Sequence, residues 1–407
     1  MKRWISLLLC LTLVLAALPM GAQAVVVLDE GIKPFSDAAE IKYAEQNEIL
    51  VQLGILSGYM DGSFQPSRTL TRAEAAVILA RLNGYAGSAV KGSFDDVPAD
   101  HWAYSFVAYC VGNGLLQCID GSSYRPMVSI TVKDLCKALL KIIGYENVTD
   151  DNCEELIAAR GLLLGSNLTT GAFVTRDIAC LVIYNALCCL EIARWEGGEP
   201  RYYTDELLNP VTVLEHRFGV VRYSAVAEAN EQVDLAAAGG HLEAGQTRLR
   251  GHNIFAVSTP LSLVGHRVDL YVKDGKVLGK PHLSTSESSA VFSSLIEYRA
   301  FMSSSETFSI AKDAKLYLAY DEADESVLWT STEQLQITVV DYECDGCFDL
   351  ILVNPYRKAT VTSAQPLELR FTDGSKAQLD SYSGSVRPAA GDTVYALRLA
   401  NGWDLKK

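Results

Sequence analysis

The sequence lacks the short motifs that mark common catalytic and metal-binding sites. Its six histidines show no His-Glu-x-x-His pair or other close spacing of metal ligands. It also contains no Gly-x-Ser-x-Gly turn and no Walker loop. These absences predict a binding or structural protein without a cofactor rather than an enzyme.

Positive charge is scarce as well. The chain has 35 Lys and Arg residues against 49 Asp and Glu residues, which gives a formal net charge of −14. A chain this acidic repels the phosphate backbone of nucleic acids. The composition therefore argues against nucleic acid as a partner, and any anionic ligand must be held by local arginines.

Long apolar runs are absent after the N-terminus. Residues 1–24 are typical of a secretory signal peptide, with charged Lys2 and Arg3, an apolar stretch at 5–18 and small residues at 22–24. The apolar stretch is short for a membrane span, although an uncleaved anchor is the alternative. We predict an exported protein with no membrane span after cleavage.

The cysteines do not form an obvious disulfide framework. Ten are present, and Cys10 would leave with the signal peptide. Several lie at apolar helical positions and are predicted to be buried thiols rather than disulfides: Cys110, Cys136, Cys180, Cys188 and Cys189. Cys344 and Cys347 are close enough to pair, but a structural zinc site would need a second pair nearby.

The pattern of residues 54–82 predicts a helix–loop–helix unit. A helix ends at Gly54, the loop turns on Asp61-Gly62, and Thr71 caps a second helix that carries Arg72 and Glu74 in its first turn.

The unit recurs twice, which predicts repeats at 31–90, 91–152 and 153–195. The second loop is predicted to be one residue shorter than the first. Val132 takes the place of Arg72 in the second repeat, whereas the compressed third repeat has Arg176.

These repeats resemble the S-layer homology (SLH) domain. The tetrad Thr71-Arg72-Ala73-Glu74 matches the hallmark of that family, and the second repeat carries its Phe94-Asp95 and Trp102-Ala103 signatures. The resemblance implies an all-α helical bundle with pseudo-threefold symmetry and ligand grooves between its lobes. It also implies binding of an acidic, often pyruvylated, secondary cell-wall polysaccharide that is attached to peptidoglycan.

The resemblance also implies which residues bind the glycan. The predicted binding residues are Arg72 and Arg176 for carboxylates, Trp102 for a sugar ring, and Asp37, Asp96 and Glu74 for polar contacts. Each has a structural alternative. The arginines and Glu74 can form ion pairs at helix starts, Trp102 can be a core wedge between lobes, and both aspartates can be helix N-caps.

From residue 201 to 407 the helical period gives way to alternation and hairpins. Asp274-Gly275, Asp373-Gly374 and Asn401-Gly402 are typical of tight turns between strands. The sequence thus predicts a multidomain chain whose helical SLH half is followed by a mostly β C-terminal region. That region is predicted to divide into two modules near 285–295.

One acidic segment of the β-rich region imitates the start of a calcium-binding loop. It has acids at positions 1, 3, 5 and 9 and a glycine at position 6, namely Asp341, Glu343, Asp345, Asp349 and Gly346. Position 12 is Leu352, so the glutamate that would bind in bidentate fashion is missing. A plain acidic turn between two strands is therefore favoured over a calcium site.

Together these features predict an exported surface protein of a Gram-positive bacterium, and an anaerobic habitat would permit its buried free thiols. The SLH half would anchor it non-covalently to the cell wall, while the β-rich region faces outward in a structural or interaction role. The alternative is that residues 201–407 form an enzyme or a carbohydrate- or protein-binding module that the SLH half tethers. A third reading is that the second and third repeats have lost glycan binding and serve as a scaffold.

Overall fold

The computed structural model describes the chain except for residues 1–26, 29–33, 86, 88–89, 237–241, 285, 305–308, 325, 327, 329–333, 380–381, 384–385 and 400–401. The predicted signal peptide lies outside the described residues. The rest forms two compact units. One contains 29–223 with 270–279, and the other contains 224–269 and 280–407 together with strand β1 (Val27–Leu28). Within the described residues, no helix is long and apolar enough to cross a membrane.

The first unit is mainly helical. Its helices are α1 (Ala44–Gln52), α2 (Arg72–Leu82), α3 (Tyr104–Gly112), α4 (Val132–Ile143), α5 (Cys153–Ala159), α6 (Arg176–Leu187) and α7 (Val213–Phe218). Helices α2, α4 and α6 each follow a threonine, Thr71, Thr131 and Thr175, whose hydroxyl accepts a hydrogen bond from a backbone N–H in the first turn. Most residues of these three helices are buried, and they form the centre of the core.

The segments before these three helices are joined in a closed ring. The N–H of Leu70 donates to the carbonyl oxygen of Val174, that of Val174 to Ile130, and that of Ile130 back to Leu70, at 2.8, 3.1 and 2.9 Å. The helices pack in the same cyclic order: α2 on α3, α4 on α5, and α6 on α1. Each repeat therefore buries its second helix against the first helix of another repeat.

The helical unit continues past the third repeat. A hairpin of β2 (Ile192–Glu196) and β3 (Glu199–Tyr202) turns on two glycines with positive φ, and α7 follows it. The N–H of Val213 at the start of α7 donates to the carbonyl oxygen of Cys189. The segment up to Tyr223 thus belongs to the helical unit, although the β-rich region was expected to start at residue 201. The predicted domain boundaries themselves stay predictions.

The second unit is built mainly from sheets. One sheet has the order β1–β8–β7–β4–β5–β6, a second β11–β10–β13–β12–β9, and a third β16–β15–β14–β18–β19–β17. The strands are β4 (Val220–Asn230), β5 (Thr247–Leu249), β6 (Ile254–Phe255), β7 (Arg267–Lys273), β8 (Lys276–Leu283), β9 (Ser288–Phe292), β10 (Ser309–Leu318), β11 (Asp321–Glu322), β12 (Leu335–Asp341), β13 (Cys347–Pro355), β14 (Arg357–Ala364), β15 (Leu367–Phe371), β16 (Lys376–Leu379), β17 (Tyr382–Ser383), β18 (Thr393–Leu399) and β19 (Gly402–Lys406). Helix α8 (Leu295–Ser304) packs on β9 and β12. Residues 270–279, the tip of the β7–β8 hairpin, belong to the helical unit.

The predicted change from helices to strands is confirmed: the N-terminal region is helical and the C-terminal region is mostly β. The predicted turn at Asp274-Gly275 also forms, whereas Asn401 of the predicted Asn401-Gly402 turn lies outside the described residues. Asp274 and Gly275 both have positive φ, at 50° and 76°, as a two-residue turn between β7 and β8 requires.

Candidate functional site

Arg72 begins helix α2, but its side chain extends into the loop of the second repeat. Its Nε donates to the carbonyl oxygen of Tyr124 (2.9 Å) and its Nη2 donates to that of Gln117 (2.5 Å). The guanidinium lies 4.6 Å from the centre of the Tyr124 ring. Arg72 is only 4% exposed. It therefore joins the first repeat to the second.

Arg176 makes the same contacts between the third repeat and the first. Its Nε donates to the carbonyl oxygen of Phe64 (2.8 Å) and its Nη2 to that of Ser57 (2.6 Å). The guanidinium lies 4.4 Å from the centre of the Phe64 ring and 4.7 Å from that of Tyr59. At 5% exposure, Arg176 is as buried as Arg72.

The acceptors of the two arginines occupy equivalent positions in two loops. The interval from Ser57 to Gln117 equals that from Phe64 to Tyr124. It also equals the interval from Gly54 to Gly114, the two helix ends. The stretch from Gly114 to the Asp-Gly pair is one residue shorter than in the first loop, as predicted, but the second loop as a whole keeps its length up to Thr131. Both loops present the same two carbonyl oxygens to an incoming guanidinium.

These contacts restrict how either arginine can meet a ligand. One N–H of Nε and one of Nη2 already donate to backbone carbonyls, which leaves the second N–H of Nη2 and both N–H groups of Nη1 for other partners. In Arg72, Nη1 lies 4.0 Å from Oδ2 of Asp134. A bidentate contact with a sugar carboxylate through Nε and Nη2 would require at least the bond from Nε to its carbonyl to break. Carboxylate binding by Arg72 and Arg176 stays a prediction.

The third junction, between the second and third repeats, lacks an arginine. Val132 is fully buried there, and its N–H donates to the carbonyl oxygen of Ala172. The ammonium of Lys133, which follows Val132, lies 3.6 Å from Oδ1 of Asp150. This junction is therefore held by backbone bonds and apolar packing, without a buried cation.

Glu74 completes the start of helix α2. Its carboxylate accepts hydrogen bonds from the N–H and hydroxyl of Thr71, while the Thr71 hydroxyl accepts the N–H of Glu74, which is a capping box. The other carboxylate oxygen accepts the Tyr59 hydroxyl and lies 3.3 Å from Arg68. Glu74 thereby ties the helix start to the loop of its own repeat.

Asp37 and Asp96 fix the loops of the first and second repeats. Asp37 makes no cap bond with the 3-10 helix that follows it, so the predicted N-cap is wrong for Asp37. Its two oxygens instead accept the N–H groups of Phe64 and Gln65. Asp96 accepts those of Tyr124 and Arg125 in the same way. Burial opposes ionisation of both carboxyls, but these backbone bonds outweigh it and lower both pKa values.

The lowered pKa of Asp96 predicts a pH dependence of stability. The ionised carboxylate stabilises the fold above its unfolded-state pKa, near 3.9, and this contribution disappears as the pH falls through the lower folded-state pKa. Replacing Asp96 with Asn should lower the free energy of unfolding at pH 7 by about 1–3 kcal/mol, because the amide can accept at only one atom. Denaturant titrations between pH 2 and 7 should then show a smaller acid loss in Asp96→Asn than in the unchanged chain. The exposed Asp100→Asn is the control, and equal acid slopes in all three proteins would contradict this role.

Trp102 lies on the surface rather than in the core. It is 60% exposed, and its ring stacks on His101 at a centroid distance of 5.6 Å. The alternative of a core wedge is therefore wrong. A large exposed aromatic ring offers a flat apolar face to a ligand.

The acidic segment 341–349 forms a hairpin turn between β12 and β13. Asp341 is buried and its carboxylate accepts the N–H groups of Asp345 and Gly346, while that of Asp349 accepts those of Tyr342 and Glu343. Burial raises the pKa of Asp349 despite these bonds. Across the described residues, no group of three or more His, Cys, Asp or Glu is placed to hold a metal ion. Calcium binding by this segment stays a prediction.

The described cysteines are all free thiols. Cys110, Cys136, Cys153 and Cys180 are buried, whereas Cys344 is exposed in the turn after β12. Burial raises the pKa of Cys110 and of Cys136 to about 12, which suppresses the reactive thiolate.

We expect one thiol to react much faster than the others. In the native protein, Ellman's reagent should modify Cys344 first, because it is exposed, and Cys344→Ser should abolish that fast phase. The four buried thiols should react only after denaturant is added. A fast phase that persists in Cys344→Ser would contradict the assignment.

Sequence reasoning missed the partners of the two arginines. Ser57 and Gln117 act through backbone carbonyls, so their side chains carry no signal. Tyr59 and Tyr124 contact the guanidinium groups through their ring faces. The regular interval between the first two repeats was the available signal for the equivalence of their loops.

Comparison with known proteins finds sequence similarity to one domain family and to several surface proteins. The family model of the S-layer homology domain matches residues 34–76. A surface layer protein of Brevibacillus choshinensis is 28% identical over 150 residues, which are 36% of this chain and 13% of that protein. A cell surface protein of Thermoanaerobacter kivui is 26% identical over 195 residues, 46% of this chain and 24% of that protein. An amylopullulanase of Thermoanaerobacterium thermosulfurigenes is 27% identical over 117 residues, 29% of this chain and 6% of that protein.

The chain thus spans less than a quarter of the length of each of these relatives. The family match and the surface proteins among the relatives confirm the predicted location, secreted and at the cell wall or surface. They also confirm the resemblance to the S-layer homology domain that the tetrad Thr71–Glu74 indicated. The chain is an S-layer homology domain-containing protein.

Proposed function

We propose that this chain is anchored non-covalently to the cell wall by an acidic secondary polysaccharide, pyruvylated as the resemblance implies, which its helical unit binds. The match of residues 34–76 to the S-layer homology domain carries this proposal. The surface-layer relatives favour an anchoring role over an enzymatic one.

The helical unit is proposed to be a pseudo-threefold bundle of three SLH repeats. The closed ring of hydrogen bonds through Leu70, Ile130 and Val174 supports this arrangement, as does the cyclic packing of the helices. Symmetry is broken at the junction of Val132, where the buried guanidinium is missing. The first two loops, each fixed by an aspartate and an arginine, are therefore the best-ordered candidates for binding.

In this proposal the predicted binding residues have different tasks. Trp102 packs its exposed ring on a sugar, while Asp37, Asp96 and Glu74 hold the loops that shape the grooves. The arginines order the loops through one N–H each of Nε and Nη2, and they attract the carboxylate through their remaining N–H groups and their charge.

Binding of the purified polysaccharide in solution tests the role of Trp102 and of the pyruvate groups. Trp102→Ala should weaken binding about 5- to 50-fold, a loss of about 1–2.5 kcal/mol that is typical of an aromatic contact. Tyr203→Ala is the matched control, because Tyr203 is also partly exposed and stacked on a histidine, His216, outside the three repeats.

Polysaccharide freed of pyruvate by mild acid should bind more weakly than the native form. Equal affinity of both forms would refute recognition of pyruvate.

The β-rich unit is proposed to face outward in a structural or interaction role. The amylopullulanase among the relatives keeps the tethered-enzyme alternative open, although only 6% of that protein aligns with this chain. A hydrolase in residues 201–407 would release reducing sugar from polysaccharides, and the outward-facing role predicts that the purified chain does not.

A further inference from the structure

We propose that the β-rich unit has its own binding site for an acidic saccharide, in a cavity beside the third sheet. The cavity has a volume of about 410 Å³ and is lined by residues of β14, β15, β16, β18 and β19 together with the turn after β10. Its size is within the range of small-ligand sites, about 300–1,000 Å³. This proposal does not depend on glycan binding by the helical unit.

Two aromatic rings form one wall of the cavity. Phe371 on β15 and Trp403 on β19 both line it, with ring centroids 5.7 Å apart and an interplanar angle of 29°. Trp403 is only partly buried. Phe371 is buried, at 4% exposure, and its ring stacks on that of Trp403, whose partly exposed ring suits the C–H face of a pyranose.

Three cationic side chains also line the cavity: Arg357, Lys376 and Arg398. The Arg357 guanidinium lies 3.9 Å from the centre of the Phe371 ring. Its Nη2 forms an ion pair with Oδ2 of Asp373 at 2.7 Å. Arg398 lies 5.7 Å from the centre of the Trp403 ring. In the described part of the chain, neither Lys376 nor Arg398 has an acidic partner. Because the whole chain carries a net charge of −14, this local excess of positive charge is selective for an anion.

The turn after β10 adds a second, independent feature. Ala319 and Tyr320 connect β10 to β11, and both have positive φ, at 50° and 72°. Glycine or asparagine would adopt this backbone with less strain, which costs about 1–3 kcal/mol per residue. The strained turn places Tyr320 at the cavity, where its hydroxyl donates to the carbonyl oxygen of Leu261 (3.1 Å). Strain of this kind is typical of ligand sites.

An aromatic wall next to unpaired cations identifies the ligand class. A neutral sugar would use the rings and leave the cations unused, and a small inorganic anion would use the cations and leave the rings unused. A sugar ring that bears a carboxylate uses both. The carboxylate can belong to a uronic acid or to a pyruvate ketal. Both present the same carboxylate to the cations of the cavity.

Isothermal titration calorimetry of the full chain tests this proposal. Trigalacturonic acid and a galactoside with a pyruvate ketal are the two acidic probes, and the methyl ester of trigalacturonic acid is the uncharged control. We expect at least one acidic probe to bind and the ester to bind about 10-fold more weakly, since a bond to a charged group is worth about 1.5–3 kcal/mol. The stronger of the two probes identifies the source of the carboxylate.

Variants locate the binding at this cavity. Arg398→Ala should weaken binding of the acidic probe about 10-fold, the smaller value expected for loss of one charge-assisted bond. Trp403→Tyr should weaken it as well, because the smaller ring offers less area to the sugar. Lys358→Ala is the matched control, because Lys358 follows Arg357 on β14 and points to the opposite face of the sheet. Absence of binding, equal binding of ester and acid, or binding that responds to Trp102→Ala but not to Arg398→Ala in a folded protein would overturn the proposal.

Discussion

Replacement of Arg72 with alanine is expected to lower the free energy of unfolding of the helical unit by about 2–5 kcal/mol. The substitution leaves the carbonyl oxygens of Tyr124 and Gln117 without their donor, and each buried unsatisfied group costs about 1–3 kcal/mol. The contact between the guanidinium and the Tyr124 ring is lost as well. Denaturant unfolding followed by circular dichroism at 222 nm measures the effect.

The expected loss of stability depends on the two N–H donors that the planar guanidinium holds in a fixed geometry, rather than on its charge. Arg72→Lys should therefore recover little stability, because one ammonium cannot donate to both carbonyls with the same geometry. Arg176→Ala should behave like Arg72→Ala, since Arg176 makes the equivalent pair of bonds.

Arg81→Ala is the matched control for both buried arginines. Arg81 lies on the same helix as Arg72 but is exposed, and its bonds to the carbonyls of Gly54 and Ile55 are long, at 3.3 and 3.4 Å. Its removal should cost less than about 1 kcal/mol. A loss below 1 kcal/mol for Arg72→Ala, or full recovery in Arg72→Lys, would show that the two carbonyl bonds do not hold the repeats together.

The sequence made the local features of the helical half predictable. Thr71 and Glu74 have the spacing of a capping box, and the structure forms one. The alternation of the second half likewise predicted strands, and Asp274-Gly275 predicted a two-residue turn. These features depend on residues that are close along the chain.

The contacts between repeats were not predictable in the same way. Arg176 reaches the carbonyl oxygens of Ser57 and Phe64, more than 100 residues earlier in the chain. Such a contact exists only once the third repeat packs against the first. The role of Asp37 was not predictable for a related reason. Its residue type and position suit an N-cap, but its carboxylate accepts two N–H groups from a loop that lies 27 residues later in the chain.

The exposure of Trp102 and the cavity of the third sheet were also not predictable from the sequence. The Trp-Ala signature does not distinguish a buried ring from an exposed one, and only the packing of α3 leaves Trp102 at the surface. In the cavity, Arg357, Phe371, Arg398 and Trp403 lie on four strands. Sheet order, which the alternation of residues does not encode, brings them together.

Removal of the secondary polysaccharide from the cell wall should abolish anchoring. The helical unit presents ordered loops and an exposed aromatic ring, but the chain is acidic and has no general affinity for a polyanionic wall. Retention must therefore come from specific contacts with one wall component. Loss of that component should reduce binding at least about tenfold, equivalent to 1.4 kcal/mol or more.

Co-sedimentation of the full chain with purified sacculi, before and after the polysaccharide is chemically stripped, measures this anchoring directly. The chain should pellet with intact sacculi, stay in the supernatant with stripped ones, and be released from intact sacculi by added free polysaccharide. Trp102→Ala should pellet less than the unchanged chain, and Tyr203→Ala should pellet equally well. Equal pelleting with intact and stripped sacculi would contradict anchoring by the polysaccharide and would assign retention to peptidoglycan itself.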